Sequence, residues 1–428
     1  MKNLVKVKVF PKFTKGYKEG YPLILKERME KWPKELQEGD VLELTDTNGQ
    51  FIARGYHGEQ NKGSGWLFTW DKKQQLDEDF LTNLITTAIE KREQNKGSGW
   101  LFTWDKKQQL DEDFLTNLIT TAIEKRQFLF ADDSTTAFRI FNGEGDGLGG
   151  FTVDFYDGYL VIQWYSLGIY AFQKMIIDIF LSFPEIKGIY EKRRFQEDTK
   201  DDFVAGQKAT FPLIIKENGI NYATYLDDGW MTGIFLDQRD VRRRISEDYS
   251  VSKNVLNTFS YTGAFSVAAL FGGASKTTSV DVAGRSLSKT KEQLEVNGLD
   301  PNEQAIIVED VFHYFKYAAR KQLTFDLVVV DPPSFARTKK VTFRAAKDYP
   351  AMLREIIDIT APNGTIIAST NYAGFGMKAF KKLIAEAFQT SDRTYKIVET
   401  HSLPADFTVN KNFPEGNYLK VLFLTLDI

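Results

Sequence analysis

The sequence predicts an α/β protein in which an open, mostly parallel sheet forms the C-terminal half, preceded by a small β-domain and an α+β middle domain. From Val255 onward, short apolar runs alternate regularly with helical segments, which is the pattern of a parallel sheet. Near the N-terminus, Asn48-Gly49 is a tight hairpin signal between two strand-like runs. A chain of 428 residues is long enough for about two or three domains.

The composition is that of a soluble globular protein, with 42% hydrophobic and 26% charged residues. No apolar run approaches the ~20 residues of a membrane span, and the N-terminus lacks the apolar core of a signal peptide. We therefore expect a cytoplasmic protein without membrane contact. The formal net charge of −3 provides no global attraction to nucleic acid, so RNA binding would require local basic faces.

The chain contains 0 cysteines, which excludes disulfides, thiolate metal sites and cysteine nucleophiles. Its 3 histidines are His57, His313 and His401. They lie far apart in the sequence and no two have the spacing of metal ligands, so we expect no metal site.

The N-terminal segment is locally basic, because its first 18 residues hold six lysines and no acidic residue. Val5, Val7 and Val9 alternate with Lys6 and Lys8, which predicts a strand with one buried and one positive face. A purely structural β-domain and an RNA-binding module whose lysines meet phosphates are both compatible with this pattern.

A stretch of 34 residues, Glu59 to Arg92, is repeated without a single change as Glu93 to Arg126. One unit contains a strand-like run and then a helix-like run, so it is not a pair of helices stacked in an array. We expect the fold to need one strand and one helix, with the other 34 residues bulging out or lying on the surface. Deleting Glu59 to Arg92 would leave 428 − 34 = 394 residues and should preserve thermal stability.

The middle of the chain carries two further candidate features. The glycine-rich run 142–150 precedes a strand and not a helix, which favours a structural turn over a nucleotide-binding loop. The charged run Glu191 to Arg194 is predicted to be loop-like, with a solvated face as its commoner role and RNA contact as the alternative.

The stretch that organises the C-terminal half is an apolar run that ends in small polar residues and one glycine. Val255 and Leu256 predict a buried parallel strand, Phe259 to Thr262 supply groups at its carboxyl end, and Gly263 turns the chain into a helix. A single glycine does not provide the close backbone approach that a pyrophosphate needs. A phosphate-free adenosine compound fits better, which points to S-adenosylmethionine.

Acidic residues follow the next two strands of the pattern. Asp281 is placed to accept the ribose hydroxyls of an adenosine, and Asp310 to accept from its adenine amine. Upstream, Phe235, Gln238 and Arg239 can pack on an adenosyl group and meet a carboxylate.

The fourth strand, Phe325 to Val330, delivers the segment Asp331-Pro332-Pro333-Ser334-Phe335. Consecutive prolines hold the chain extended and donate no hydrogen bond, so carbonyls and the Asp331 carboxylate can face a planar substrate while Phe335 stacks on it. A simple cap is the alternative role of Asp331, but the adenosine-type loop two strands earlier favours catalysis.

Together these motifs resemble those of the bacterial large-subunit (23S) rRNA methyltransferases, which join an N-terminal PUA domain and a middle domain to a class I, Rossmann-like methyltransferase domain. The resemblance implies a PUA-like RNA-binding domain at residues 1–70, a middle α+β domain at 71–215 and an S-adenosylmethionine-dependent methyltransferase domain at 216–428. It also implies large-subunit rRNA or a ribosomal precursor as partner, and a dimer is one possible assembly. The predicted cofactor-binding residues are Phe235, Gln238, Arg239, Asn257, Phe259, Ser260, Tyr261, Thr262, Gly263, Asp281, Val282, Asp310, Val311 and Asp331.

One departure from the family pattern bears on the reaction. Members that make 5-methylcytosine resemble this chain but carry a cysteine in the loop where this sequence has Thr370-Asn371-Tyr372. The cysteine is needed because cytosine carbon 5 becomes a good nucleophile only after a thiolate has added to carbon 6. The loop here resembles that of rRNA enzymes that methylate guanine N7. We therefore expect non-covalent methylation at guanine N7, with an exocyclic amine or cytosine carbon 5, or a non-catalytic ribosome-assembly factor, as alternatives. The residues expected to hold the base are Asp331, Pro332, Phe335 and Asn371.

Overall fold

A computed structural model describes residues 4–37, 40–60, 63–69, 110–196, 202–337 and 342–427. The strands are β1 (Leu4–Lys8), β2 (Leu23–Ile24), β3 (Val41–Thr45), β4 (Phe51–Gln60), β5 (Gly63–Thr69), β6 (Ala137–Phe141), β7 (Phe151–Tyr156), β8 (Tyr159–Trp164), β9 (Gly188–Arg193), β10 (Phe203–Gly206), β11 (Leu213–Glu217), β12 (Ile220–Thr224), β13 (Asn254–Thr258), β14 (Lys276–Asp281), β15 (Ala305–Val308), β16 (Phe325–Val330), β17 (Phe335–Arg337), β18 (Thr342–Arg344), β19 (Thr360–Thr370), β20 (Tyr395–His401) and β21 (Lys420–Leu426). The helices are α1 (Pro11–Lys18), α2 (Glu112–Glu124), α3 (Gln127–Phe130), α4 (Leu167–Tyr170), α5 (Gln173–Leu181), α6 (Arg239–Arg244), α7 (Ala264–Phe271), α8 (Ser286–Glu295), α9 (Val311–Arg320), α10 (Ala345–Asp358) and α11 (Met377–Phe388).

The N-terminal domain is built on a five-stranded sheet with the order β1-β3-β4-β5-β2. In β1, Val7 is buried while Lys6 and Lys8 are exposed, so the predicted strand with one positive face is confirmed. The predicted turn Asn48-Gly49 joins β3 to β4, and Gly49 has φ +75°, the left-handed conformation that such turns need.

The middle domain contains a second five-stranded sheet, with the order β10-β9-β8-β7-β6, packed on α2 and α5. The prediction of a charged loop at Glu191 to Arg194 is wrong, because residues 188–193 form β9. Lys192 is buried in an ion pair with Asp202. The carboxylate of Glu191 is buried and accepts a hydrogen bond of 3.0 Å from the Trp164 indole. Charges that find buried partners can occupy a strand, and the sequence alone does not identify those partners.

The tandem repeat contributes one described element from each copy. Strand β5 comes from the first copy and α2 from the second, while residues 70–109 lie outside the described residues. Asp111 caps α2 by accepting from the Phe114 amide at 2.9 Å. The tolerance of a deletion of Glu59 to Arg92 stays a prediction.

The C-terminal domain is a seven-stranded sheet with the order β15-β14-β13-β16-β19-β21-β20, in which β21 alone runs antiparallel to both of its neighbours. The chain passes from β13 to β14 and β15, and then returns to place β16 on the other side of β13. This change of direction makes the gap between the carboxyl ends of β13 and β16 the switch point at which open α/β sheets bind ligands.

The middle and C-terminal domains share a buried core. Tyr156 and Tyr190 of the middle sheet belong to one apolar cluster with Ala268 of α7 and Phe407 of the loop before β21. The hairpin of β11 and β12 contributes to the same cluster, and the predicted boundary at 215/216 falls inside β11, so the hairpin is better kept whole. Among the described residues, no helix is long and apolar enough to cross a membrane.

Candidate active site

The donor loop, residues 259–263, follows β13 and has a strained backbone. Phe259 and Tyr261 have φ values of +54° and +51°, and Gly263 has φ +79°. A Cβ atom at Gly263 would lie 2.6 Å from Cγ2 of the buried Thr290. Glycine is therefore required there by both the backbone conformation and the packing of α8 against the loop. Strain of this kind persists only where surrounding contacts hold it, and it is common at ligand sites.

Those contacts come from two directions. The Tyr261 amide donates to Asp281 Oδ2 at 2.9 Å, and the Ala283 amide donates to Asp281 Oδ1 at 2.8 Å. On the opposite side, Thr262 Oγ1 donates to the Gly233 carbonyl at 2.7 Å, and the Gly233 amide donates to the Tyr261 hydroxyl at 3.1 Å. Asp281 thus orients the loop, while its remaining lone pairs can accept ribose hydroxyls as predicted.

Asp310 lies at the end of the neighbouring strand β15 and caps α9. Its Oδ1 accepts the Phe312 amide at 2.9 Å, which leaves Oδ2 for a ligand amine. The Val311 side chain is buried in the core, so only its backbone faces a ligand. Val282 is 61% exposed beside Asp281, and an apolar side chain in that position can pack on an adenine ring.

The acceptor pocket begins at Asp331, directly after β16. Burial, helped by the nearby Asp237, raises the pKa of Asp331 to about 6 against the opposing effect of hydrogen bonds from Ser369 and Gln238. Gln238 Nε2 donates to Ser369 Oγ at 2.9 Å. A carboxyl group whose pKa is raised by burial and by a neighbouring charge is a candidate functional group.

The rest of the pocket is formed by the segment after Asp331 and the loop after β19. Ser334 Oγ and Asn371 Oδ1 are joined by a hydrogen bond of 2.6 Å, so the two predicted acceptor segments meet. Phe335 is 55% exposed and available for stacking, whereas Pro332 is buried.

Lys420 is a buried cation that sequence reasoning missed. It pairs with Thr370 across β21 and β19, and its ammonium donates to the carbonyls of Tyr372 and Tyr418, each at 2.7 Å. Burial lowers the pKa of Lys420 to about 8. Ser369 and Gly233 were also missed, because only strand register and loop packing bring them to the site.

Two predicted cofactor residues are hydrogen-bonded or ion-paired to other side chains of the protein. The Arg239 guanidinium is buried in a bidentate ion pair with Asp406, so its proposed contact with a cofactor carboxylate is corrected. Asn257 is fully buried and donates to Ser266 Oγ at 3.0 Å, which ties β13 to α7, and its contact with the cofactor stays a prediction. Arg242, on the same helix, is likewise buried in an ion pair with Glu217.

The remaining predicted residues fit S-adenosylmethionine. The Oε1 atom of Gln238 is buried and has no hydrogen-bond partner within the described residues, and it lies beside Asp331, where an amino-acid ammonium could donate to it. Phe235 is 43% exposed and its ring lies 5.4 Å from that of Tyr261. Together with Asp281 and Asp310, these groups provide an apolar surface and acceptors for a ribose, an adenine amine and an ammonium.

Comparison with protein families decides the class. The model of S-adenosylmethionine-dependent methyltransferases matches residues 185–415, more than half of the chain, and the model of PUA-like domains matches residues 7–70. The chain belongs to the S-adenosylmethionine-dependent methyltransferase family. The expected cofactor, the class of enzyme and the PUA-like N-terminal domain are thereby confirmed.

Individual relatives extend over nearly the whole methyltransferase. It is 51% identical over 413 residues to YwbD of Bacillus subtilis (strain 168), a candidate ribosomal RNA large subunit methyltransferase, covering 95% of this chain and 96% of the relative. It is 30% identical over 410 residues to the ribosomal RNA large subunit methyltransferase I of Aeromonas salmonicida (strain A449), covering 94% of each. The crystal structure of SMU.776, a candidate methyltransferase in complex with SAH, superposes with a TM-score of 0.82 at 36% identity, covering 99% of this chain and 100% of that chain. These matches confirm the predicted family resemblance and fold class.

Proposed function

We propose that this methyltransferase modifies a base of large-subunit rRNA at guanine N7 by a non-covalent mechanism. One observation carries the choice of atom: Asp331 follows β16 at the same sheet edge as the donor loop after β13, because Thr258 pairs with Val330, and the chain contains 0 cysteines. Methylation of cytosine carbon 5 requires a nucleophile at carbon 6, and a cysteine thiolate is the group suited to it. The names of the relatives support rRNA as the substrate.

The chemistry at N7 places modest demands on the protein. When bound, S-adenosylmethionine supplies a methyl group activated by its positively charged sulfonium. The N7 lone pair forms the new N–C bond as the S–C bond breaks and its electron pair stays on sulfur. No proton has to leave the purine, so positioning and electrostatics provide the catalysis.

The acceptor residues are suited to that task. Transfer moves a positive charge from sulfur onto the purine ring, and an ionised Asp331 beside the base stabilises that charge. The exposed Phe335 ring stacks on the base, and the Asn371 amide hydrogen-bonds to its edge. Lys420 holds the carbonyls of Tyr372 and Tyr418 and so fixes the loop that carries Asn371.

The other domains would supply RNA affinity. The exposed Lys6 and Lys8 on β1 form a positive face that can contact RNA phosphates. Such a local face is needed because the net charge of −3 gives the whole chain no attraction to phosphates. The middle domain shares a core with the catalytic domain and would hold the RNA in a fixed orientation to the pocket.

The proposal is tested by incubating protein-free 23S rRNA with the enzyme and S-adenosylmethionine, digesting it, and identifying methylated nucleosides by mass spectrometry. We expect 7-methylguanosine with the wild type and a loss of at least about 100-fold in rate with Asp331→Asn, the scale on which a single electrostatic group acts. 5-Methylcytidine or an exocyclic-amine product would overturn the N7 assignment. Retained binding of SAH by Asp331→Asn controls for folding.

A further inference from the structure

The acceptor pocket is bordered by a group of five exposed cations that no motif accounts for, which we name the acceptor-side cations. Segments 342–348 and 376–382 carry these five cations and a single carboxylate, that of Asp348. Within the described part of the chain, none of the five forms an ion pair. The acceptor-side cations are Arg344, Lys347, Lys378, Lys381 and Lys382.

Backbone and ring contacts tie both segments to the acceptor pocket. The Ala345 amide at the start of α10 donates to the Ser334 carbonyl at 3.0 Å, and α11 begins directly after the loop that carries Asn371. The rings of Tyr349 on α10 and Phe380 on α11 meet edge to face with centroids 5.0 Å apart. The first turns of the two helices therefore lie side by side at the rim of the pocket.

The same contacts direct the cations outward. Tyr349 and Phe380 are fully buried and define the inner faces of their helices. Lys378, Lys381 and Lys382 are spaced by three and four residues, so they share one outer face of α11. Over a rise of 1.5 Å per residue, these three lysines span only about 6 Å along the axis.

We propose that the acceptor-side cations bind phosphates of the rRNA strand on either side of the target nucleotide. This inference rests on the proposed function. A base that enters the pocket has to leave its stack, and its backbone then continues in both directions across the rim. Net charge supports the assignment, because these two segments carry +4 in a chain whose formal total is −3. Phosphate contacts of this kind position a strand without reading its sequence.

The test compares two triple variants of the full-length enzyme. In the first, Lys378, Lys381 and Lys382 are changed to alanine. In the matched control, Lys276, Lys321 and Lys396 are changed to alanine; these lysines are also exposed but lie toward the amino ends of the sheet strands, away from the pocket. Binding of protein-free 23S rRNA is measured from 50 to 200 mM salt, together with KM for that rRNA and the Kd for SAH.

The first variant should weaken RNA binding and raise KM for rRNA by about tenfold, and the slope of log K against log salt should become shallower by about 2, since each single-strand phosphate contact contributes ~0.7. Replacement of the same lysines by arginine should preserve the slope. The Kd for SAH should stay unchanged, and the control variant should behave as wild type.

Equal slopes and KM values for the two triple variants would overturn the proposal. An effect seen with ribosomal particles but absent with protein-free rRNA would also overturn it, because the cations would then contact a ribosomal protein. Absence of methylation by the wild type would instead count against the proposed function. The salt dependence of RNA binding by the two triple variants would still test the phosphate contacts.

Discussion

Gly263→Ala should destabilise both the fold and the donor loop. The residue has φ +79°, and the new Cβ would lie 2.6 Å from Thr290 Cγ2 and 3.0 Å from its Oγ1. The left-handed conformation costs a non-glycine residue about 1–2 kcal/mol. Thr290 is fully buried, so the clash adds the cost of an overpacked core, about 1–3 kcal/mol. The free energy of unfolding should therefore fall by about 2–5 kcal/mol, as measured by urea denaturation.

Gly298→Ala separates the two contributions. Gly298 has φ +69°, but a Cβ there would meet no atom within 4 Å, so only the conformational cost of about 1–2 kcal/mol applies. Titration calorimetry should show weaker SAH binding for Gly263→Ala and unchanged binding for Gly298→Ala, because only the first position lies in the donor loop.

A second change at Thr290 tests the clash directly. Thr290 Oγ1 is buried without a hydrogen-bond partner within the described residues, so Thr290→Ala removes the obstructing atoms and breaks no hydrogen bond of that hydroxyl. In the Gly263→Ala background it should restore part of the lost stability. If Gly263→Ala costs no more than Gly298→Ala and Thr290→Ala restores nothing, the packing argument is refuted.

Three further predictions concern charged groups. Because burial raises the pKa of Asp331 to about 6 and methyl transfer uses its ionised form, kcat/KM should fall as the pH drops through about 6. The corresponding fall in kcat should occur at a lower pH, because the cationic sulfonium of bound S-adenosylmethionine favours the ionised carboxylate. A profile of kcat/KM that is flat from pH 5 to 8 would contradict this role of Asp331. Asp406→Ala leaves Arg239 buried without its partner and should lower the free energy of unfolding by about 3–5 kcal/mol. As a control, removal of the exposed Arg243 side chain should change the free energy of unfolding by about 0.5 kcal/mol or less. Equal denaturation midpoints for the two variants would argue against a buried ion pair. Lys420→Met loses the charge-assisted hydrogen bonds to the Tyr372 carbonyl, in the loop that carries Asn371, and to the Tyr418 carbonyl. It should lower kcat by at least about tenfold with an unchanged Kd for SAH, whereas an equal loss of cofactor affinity would indicate general disruption.

The sequence was most informative where local pattern alone determines the structure. The bounds of β16 were predicted to the residue, because Phe325 to Val330 is a largely apolar run that ends directly before Asp331-Pro332. The meeting of Asp331 with the donor loop also follows from general rules, since both lie at carboxyl ends of strands on either side of a switch point.

The errors arise from partners that only the tertiary fold brings together. Arg239 looked like a ligand of a cofactor carboxylate, but its partner Asp406 lies 167 residues away. Lys192 looked solvated until the fold placed Asp202 beside it in the core. Lys420 gave no sequence signal, because its position behind the acceptor loop depends on the antiparallel register of β21 with Thr370. Sequence pattern specifies elements and their ends, whereas burial of a charge depends on tertiary pairing.

The central claim, guanine N7 methylation of large-subunit rRNA, is tested most directly in the cell. Nucleosides of 23S rRNA should be quantified by mass spectrometry in wild-type cells, in cells lacking this gene, and in deletion cells carrying the wild-type or Asp331→Asn gene. We predict that one 7-methylguanosine is lost on deletion, restored by the wild type and not restored by Asp331→Asn. Loss of 5-methylcytidine instead, or an unchanged nucleoside profile, would contradict the proposed reaction.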